Sequence, residues 1–110
     1  MAAGVSISAV TELFGKEYPI IRIMPNTPAS VGKGLILHCE NAAVTKDEVS
    51  TFEKALSAAG DIDPIAENLI DAASAISGCG PAFVYIFIEA LADGGVKCGL
   101  PRNKALRYAT

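Results

Sequence analysis

The sequence predicts an α/β layer over its first half and a helical segment over its second. Three observations carry this. Two short apolar runs, "IIRIM" and "LILHC", are separated by a proline- and glycine-rich loop and followed by an amphipathic helical repeat, the rhythm of alternating strands and helices. At Asp63–Pro64 the pattern changes to apolar residues at helical spacing that continue almost to the last residue. Of the 110 residues, 51% are hydrophobic and 19% charged, the balance of a folded chain rather than a disordered one.

The elements follow in order. Ser8 is placed to cap a short helix with Val10, Leu13 and Phe14 on one side, and Gly15 to end it. Pro19 opens "IIRIM", whose near-continuous apolar character suits a strand covered on both faces. The loop "RIMPNTPASVGKG" comes next, with Pro25 and Pro28 stiffening the backbone on either side of Asn26 and Thr27. "LILHC", Leu35 to Cys39, is a second strand. Thr45 and Glu48 have capping-box spacing ahead of a helix with Val49, Phe52, Leu56 and Ala59 on one face. Gly60 stops that helix and "DID" makes a third strand. Asp63 and Pro64 then form an N-cap and first-turn pair for a helix lined by Ile65, Leu69, Ala73 and Ile76. After "SGCGP", the run "AFVYIFIEALADGGVKCG" is a helix whose polar residues Tyr85, Glu89, Asp93 and Lys97 form one narrow stripe. Leu100–Pro101 restarts a further helix through Leu106.

Several function classes are disfavoured. The net charge is −3 with no Lys/Arg block, which argues against nucleic acid and anionic membrane surfaces. "MAAGVSIS" lacks the basic and long apolar parts of a signal peptide. The charge-free run Ala72 to Ile88 is shorter than the ~20 residues of a spanning helix and is broken by Gly78, Gly80 and Pro81. It is expected to be a buried segment of a soluble protein. Cys39, Cys79 and Cys98 lack metal-ligand spacing and are expected to be reduced, buried thiols in a cytosolic protein. A helix apolar nearly all round needs cover that a chain of this size cannot supply. Further residues or a second subunit must provide it, and the pattern stops in mid-helix, so the sequence is expected to be an internal section of a longer one.

Taken together, "AAGVSIS", "RIMPNTPASVGKG" and "LIDAASAISGCGPAFVYIFIEALADGGVKCGLPR" resemble the pyrroline-5-carboxylate reductase family, in the family's order and spacing. The resemblance implies a partial Rossmann-type α/β layer, residues 1–63, followed by the first part of an all-helical dimerisation domain, residues 64–110. It implies reduction of 1-pyrroline-5-carboxylate to proline with NADP or NAD, and self-association through the helical segment 72–100. The glycine-rich turn that seats the cofactor pyrophosphate and the loop that receives the substrate carboxylate have no match in these residues. Cys79 stands where the family usually has serine, and Phe83 where tyrosine is usual.

The resemblance also implies site residues. Ala2, Ala3 and Gly4 would form a small-residue turn against the nicotinamide ribose. Met24 would give the nicotinamide ring a soft packing surface, and Pro25 would brace Asn26 and Thr27 as its polar contacts. Glu67, one turn into its helix, is placed to reach the cofactor or to meet a helix N-terminus. No catalytic acid or base and no metal ligand is assigned. Glu89 and Asp93 read as a solvated or interface stripe, and His38 as a structural histidine. "SGCGP" reads as a close-packing joint rather than a phosphate loop, because no strand leads into it. Two other readings stand beside the reductase: a non-catalytic assembly module, and a 3-hydroxyacid dehydrogenase-type oxidoreductase, which the prolyl loop disfavours.

Overall fold

The computed structural model describes residues 4–110. Two compact units follow one another along the chain, the first ending at Gly78 and the second spanning Cys79–Thr110.

The first unit is a three-stranded sheet with helices. Its elements are α1 (Ile7–Phe14), β1 (Ile21–Pro25), β2 (Gly34–Glu40), α2 (Lys46–Leu56), β3 (Gly60–Pro64) and α3 (Ile70–Ser77). The strand order is β1-β2-β3, with β1 antiparallel and β2 and β3 parallel. Connection length explains both directions. The link between β1 and β2 is too short for a crossover, so the chain must return antiparallel, whereas α2 supplies the crossover that a parallel β2/β3 pair needs. Register places Arg22 opposite Cys39 and Ile23 opposite His38. Directly opposed residues share a sheet face, so Arg22 and Cys39 face one side and Ile23 and His38 the other.

The core sits on β2. Ile36, Leu37, His38 and Cys39 are buried there, together with Ile70 of α3. His38 tilts against Phe52 of α2, with ring centroids 5.2 Å apart. Its ring nitrogens lie 3.4 Å from Glu40 and 3.8 Å from Glu53, yet neither makes a hydrogen bond. The histidine is therefore a packing residue of the β2–α2 layer.

The "GKG" of the prolyl loop has a packing cause. A Cβ on Gly34 would stand 2.6 Å from the Ala29 Cβ, and one on Gly60, at φ +140°, would stand 2.0 Å from the Gly34 carbonyl oxygen. Gly34 and Gly60 are register partners, so two glycines let β2 and β3 begin beneath the 3-10 turn Thr27–Val31.

Local signals were partly overruled. Helix α1 is capped by Ser6, whose Oγ accepts from Ala9 N–H at 3.1 Å, while Ser8 lies inside the helix and bonds to the Ser6 hydroxyl. Asp63–Pro64 do not start a helix. Ile65 N–H donates to the His38 carbonyl at 2.8 Å, which keeps the chain extended beyond β3. The helix therefore begins later and in another phase. Ile70 is the fully buried residue, while Leu69 and Ile76 are 49% and 78% exposed. The capping box of α2 is present as expected, with Thr45 and Glu48 bonded reciprocally.

The second unit consists of α4 (Gly80–Lys97) and α5 (Arg102–Ala109). They pack through small residues: Ala92 and Ala105 are buried, and a Cβ on Gly95 would lie 3.2 Å from the Ala105 Cβ. Arg102 pairs with Asp93 across the turn. Within the chain α4 is left largely uncovered, as expected of a helix that needs cover from further residues or a second subunit. Phe83, Ile86, Phe87 and Leu91 are all more than half exposed, because α5 covers only the Ala92–Gly95 side. Cys79 and Cys98, at the two ends of α4, are exposed for the same reason, and only Cys39 is a buried thiol. By length and hydropathy the stretch Glu67–Lys97 also meets the requirement for crossing a membrane.

Candidate functional site

The site is built around the end of β1. Ile20 to Ile23 give β-branched bulk that favours a strand, and Pro25 ends it because it has no N–H to extend the ladder. Asn26 follows at the N-cap of the 3-10 turn, extended at φ −118°, and makes no capping bond with its side chain. The amide is used elsewhere. Its Oδ1 accepts from Leu35 N–H at 2.9 Å, and its Nδ2 donates to the Ser77 carbonyl at 3.0 Å. Both ends of the side-chain amide are thereby oriented, leaving one Nδ2–H and one Oδ1 lone pair without a partner among the described residues. Thr27 is exposed at the first position of the turn, and Ser30 Oγ donates to its carbonyl at 3.0 Å. Met24 is half-buried just before Pro25.

A second cluster surrounds Glu67. Its Oε1 accepts from Ile7 N–H at 2.8 Å and from Arg22 Nη1 at 3.1 Å. Arg22 also places Nη2 3.5 Å from Asp71 Oδ1. Glu67 therefore meets a helix N-terminus, but that of α1 rather than its own. Gly4, exposed and with φ +76°, lies three residues before Ile7. Ala2 and Ala3 lie outside the described residues.

A cavity of about 390 Å³ is lined by Cys39, Glu40, Ala66 and Glu67 among others and includes none of Met24–Thr27. Burial pushes the Cys39 thiol above its usual range, with the Glu67 and Glu40 carboxylates adding to the shift and Arg22 opposing it. That thiol stays protonated at neutral pH and is no nucleophile. Among the described residues no group of three or more His, Cys, Asp or Glu side chains is arranged to hold a metal ion.

Arg22, Leu35 and Ser77 were not singled out by sequence reasoning. A lone charge inside an apolar strand was the available signal for Arg22. Nothing local marks a backbone N–H or a carbonyl as the partner of Asn26.

A small mixed sheet whose first strand ends in a rigid polar loop, followed along the chain by a pair of helices, defines an α/β segment followed by a helical one. The family profile described as pyrroline-5-carboxylate reductase dimerisation matches residues 67–110. A pyrroline-5-carboxylate reductase of Synechocystis is 46% identical over 107 residues, covering 97% of this chain and 40% of the relative. That of pea is 40% identical over 110 residues, again covering 40% of the relative. Among solved structures, a Plasmodium falciparum pyrroline carboxylate reductase with NADP bound superposes with a TM-score of 0.89 at 42% identity, covering 96% of this chain and 43% of that one. The Streptococcus pyogenes 1-pyrroline-5-carboxylate reductase gives a TM-score of 0.90 at 36% identity, covering 98% of this chain and 42% of that one. Over nearly its whole length the chain is thus similar to pyrroline-5-carboxylate reductases. It spans about 40% of the length of the curated relatives it matches.

Proposed function

We propose that this chain contributes the nicotinamide side of an NADP- or NAD-dependent reductase that converts 1-pyrroline-5-carboxylate to proline, together with part of the enzyme's dimer interface. On this reading residues 1–63 are the last part of the dinucleotide-binding domain and residues 64–110 the first part of the dimerisation domain. The single observation that carries the site is the fixed Asn26 amide, held by Leu35 N–H and the Ser77 carbonyl with one donor and one acceptor to spare.

Met24, Asn26 and Thr27 offer a soft apolar surface and neutral hydrogen-bonding groups, with no cation among them. That chemistry fits a flat ring bearing a carboxamide and does not fit a phosphate. When bound, the reduced nicotinamide supplies the hydride that is added to the C=N carbon of the substrate. The chain's own residues bind and orient. Pro25 and Pro28 restrict the backbone, Asn26 and Thr27 offer polar contacts to the carboxamide or ribose, and Gly4, with Ala2 and Ala3, allows close backbone approach. Glu67, bonded to Ile7 N–H and Arg22, would act on the cofactor only through the start of α1. Asn and Thr do not titrate near neutral pH, so proton delivery to the imine nitrogen is assigned to none of them.

Self-association is supported by the exposed apolar surface of α4 and by the dimerisation profile matching residues 67–110. Two copies covering each other's α4 would bury the stretch that otherwise has the composition of a membrane span, and we place the protein in the cytoplasm.

The reading is tested by segment exchange. Residues 1–110 replace the matching segment of the Synechocystis reductase, and NAD(P)H oxidation is followed with 1-pyrroline-5-carboxylate as substrate. Turnover within about tenfold of the parent is expected, and a folded chimera without turnover overturns the proposal. The 110-residue chain alone is expected to give no turnover, since its sequence contains no G-x-G-x-x-G turn.

A further inference from the structure

Arg22 is the charged side chain of β1, and only 14% of it is exposed. Its guanidinium reaches two carboxylates, Glu67 at 3.1 Å and Asp71 at 3.5 Å. The Glu67 oxygen that it meets is also the acceptor for Ile7 N–H at 2.8 Å. Two donors from distant parts of the chain thus converge on one oxygen. One belongs to the first residue of α1, just after the Gly4 turn. The other lies two residues before Met24. We propose that Arg22 is a positioning residue: through Glu67 it holds the start of α1, and with it the Gly4 turn, at a fixed spacing from the Met24–Thr27 loop.

The physical case rests on burial and charge. Charge-assisted hydrogen bonds are the stronger kind, and they are less screened where the cation is mostly buried. Without Arg22, Glu67 would be left as a partly buried carboxylate facing a single N–H, and its hold on α1 would weaken. Asp71 is 86% exposed, so its pairing contributes little. Asn26, four residues along from Arg22, adds a second tie through its bond to Ser77. Four strand residues span about 13 Å, so the segment from Glu67 to Ser77 is fastened near both of its ends. Arg22 secures the end nearer α1.

The use of these elements as a cofactor site rests on the function proposed above, but the brace itself is read out independently in the 110-residue chain. Amide shifts and hydrogen exchange are measured by NMR for Arg22→Met, Arg22→Lys, Glu67→Gln and Asp71→Asn. Arg22→Met and Glu67→Gln are expected to speed exchange at Ile7 by about tenfold. They should also move the amide signals of both Val5–Ile7 and Met24, Asn26 and Thr27. Arg22→Lys should restore most of both effects, and Asp71→Asn should change neither. Shifts confined to one of the two segments, or an Arg22→Met spectrum matching that of Asp71→Asn, overturn the proposal. If Arg22→Met fails to fold, the near-isosteric Glu67→Gln carries the test. An inactive segment-exchange chimera leaves these spectra unaffected, so the two ideas fail separately.

Discussion

Replacing Phe87 with Gln is expected to abolish self-association while leaving the fold of the chain intact. Phe87 is 64% exposed, and Phe83, one turn earlier, is 68% exposed. A phenylalanine side chain buries on the order of 200 Å² when fully covered. Covering the exposed part of Phe87 therefore removes about 130 Å² from water, worth about 3 kcal/mol at 25 cal/mol per Å². In a two-fold interface the substitution occurs twice. The ceiling is thus about 6 kcal/mol, and half of it already raises the dissociation constant more than a hundredfold. The assay is sedimentation velocity at tens of micromolar, with circular dichroism and thermal unfolding as controls. Wild-type chain should sediment above monomer mass and Phe87→Gln as a monomer. Unfolding measured where both are monomeric should differ by less than about 0.5 kcal/mol, because the residue is exposed and Gln keeps helix propensity. A Phe87→Gln chain that sediments like wild type would refute the assignment of this face. So would a wild-type chain that is monomeric and instead partitions onto lipid vesicles.

The other predictions concern the first unit and the thiols. Gly34→Ala should destabilise the chain by about 1–3 kcal/mol in urea unfolding, since the new methyl would meet Ala29 side-chain and backbone atoms at 2.6–2.8 Å; an unchanged midpoint would contradict the close approach. Thr45→Ala should cost about 1 kcal/mol through the lost cap. The bonds from Thr45 lower the Glu48 pKa, so the stability they confer is present above about pH 4.3 and fades as pH falls through the depressed value. Thr45→Ala loses only the hydroxyl's share of that shift and a cap that does not titrate, so its unfolding curve should run nearer to wild type at low pH without meeting it. Cys79 and Cys98 should alkylate readily in the native chain and Cys39 should not, with labelled peptides read by mass spectrometry. Because the Cys39 pKa is raised, the unfolded thiol ionises first, and its contribution to stability is complete below about pH 8.5 and declines as pH rises further. Cys39→Ala should flatten that alkaline decline.

What was legible in the sequence is what depends on neighbours in the chain. The capping box at Thr45 and Glu48 needs only a three-residue spacing and was readable. So were the strands at Ile21 and Leu35, and the restart of helix after Pro101. "SIS" offers two serines able to cap, and the structure uses Ser6, next to the Ile7 N–H that Glu67 holds. Asp63–Pro64 carries a sound local helix signal, overruled by a ladder bond from Ile65 to His38 that only the folded sheet supplies. That one bond also displaced the buried face of the following helix to Ile70. Within the site, Asn26 was legible as a constrained polar group. Its partners at Leu35 and Ser77, and the pairing of Arg22 with Glu67, join residues 9, 51 and 45 positions apart. No local pattern encodes such separations.

The proposed seat of the nicotinamide is the loop Met24–Thr27. It is tested most directly by magnetisation transfer in the active segment-exchange chimera with NADPH bound and the Met24 methyl labelled. A cross-peak is expected between that methyl and the nicotinamide ring protons, and its loss, with a raised KM for NADPH, in Asn26→Ala. A chimera that turns over normally with no such cross-peak, and with Asn26→Ala kinetically silent, would place the nicotinamide elsewhere.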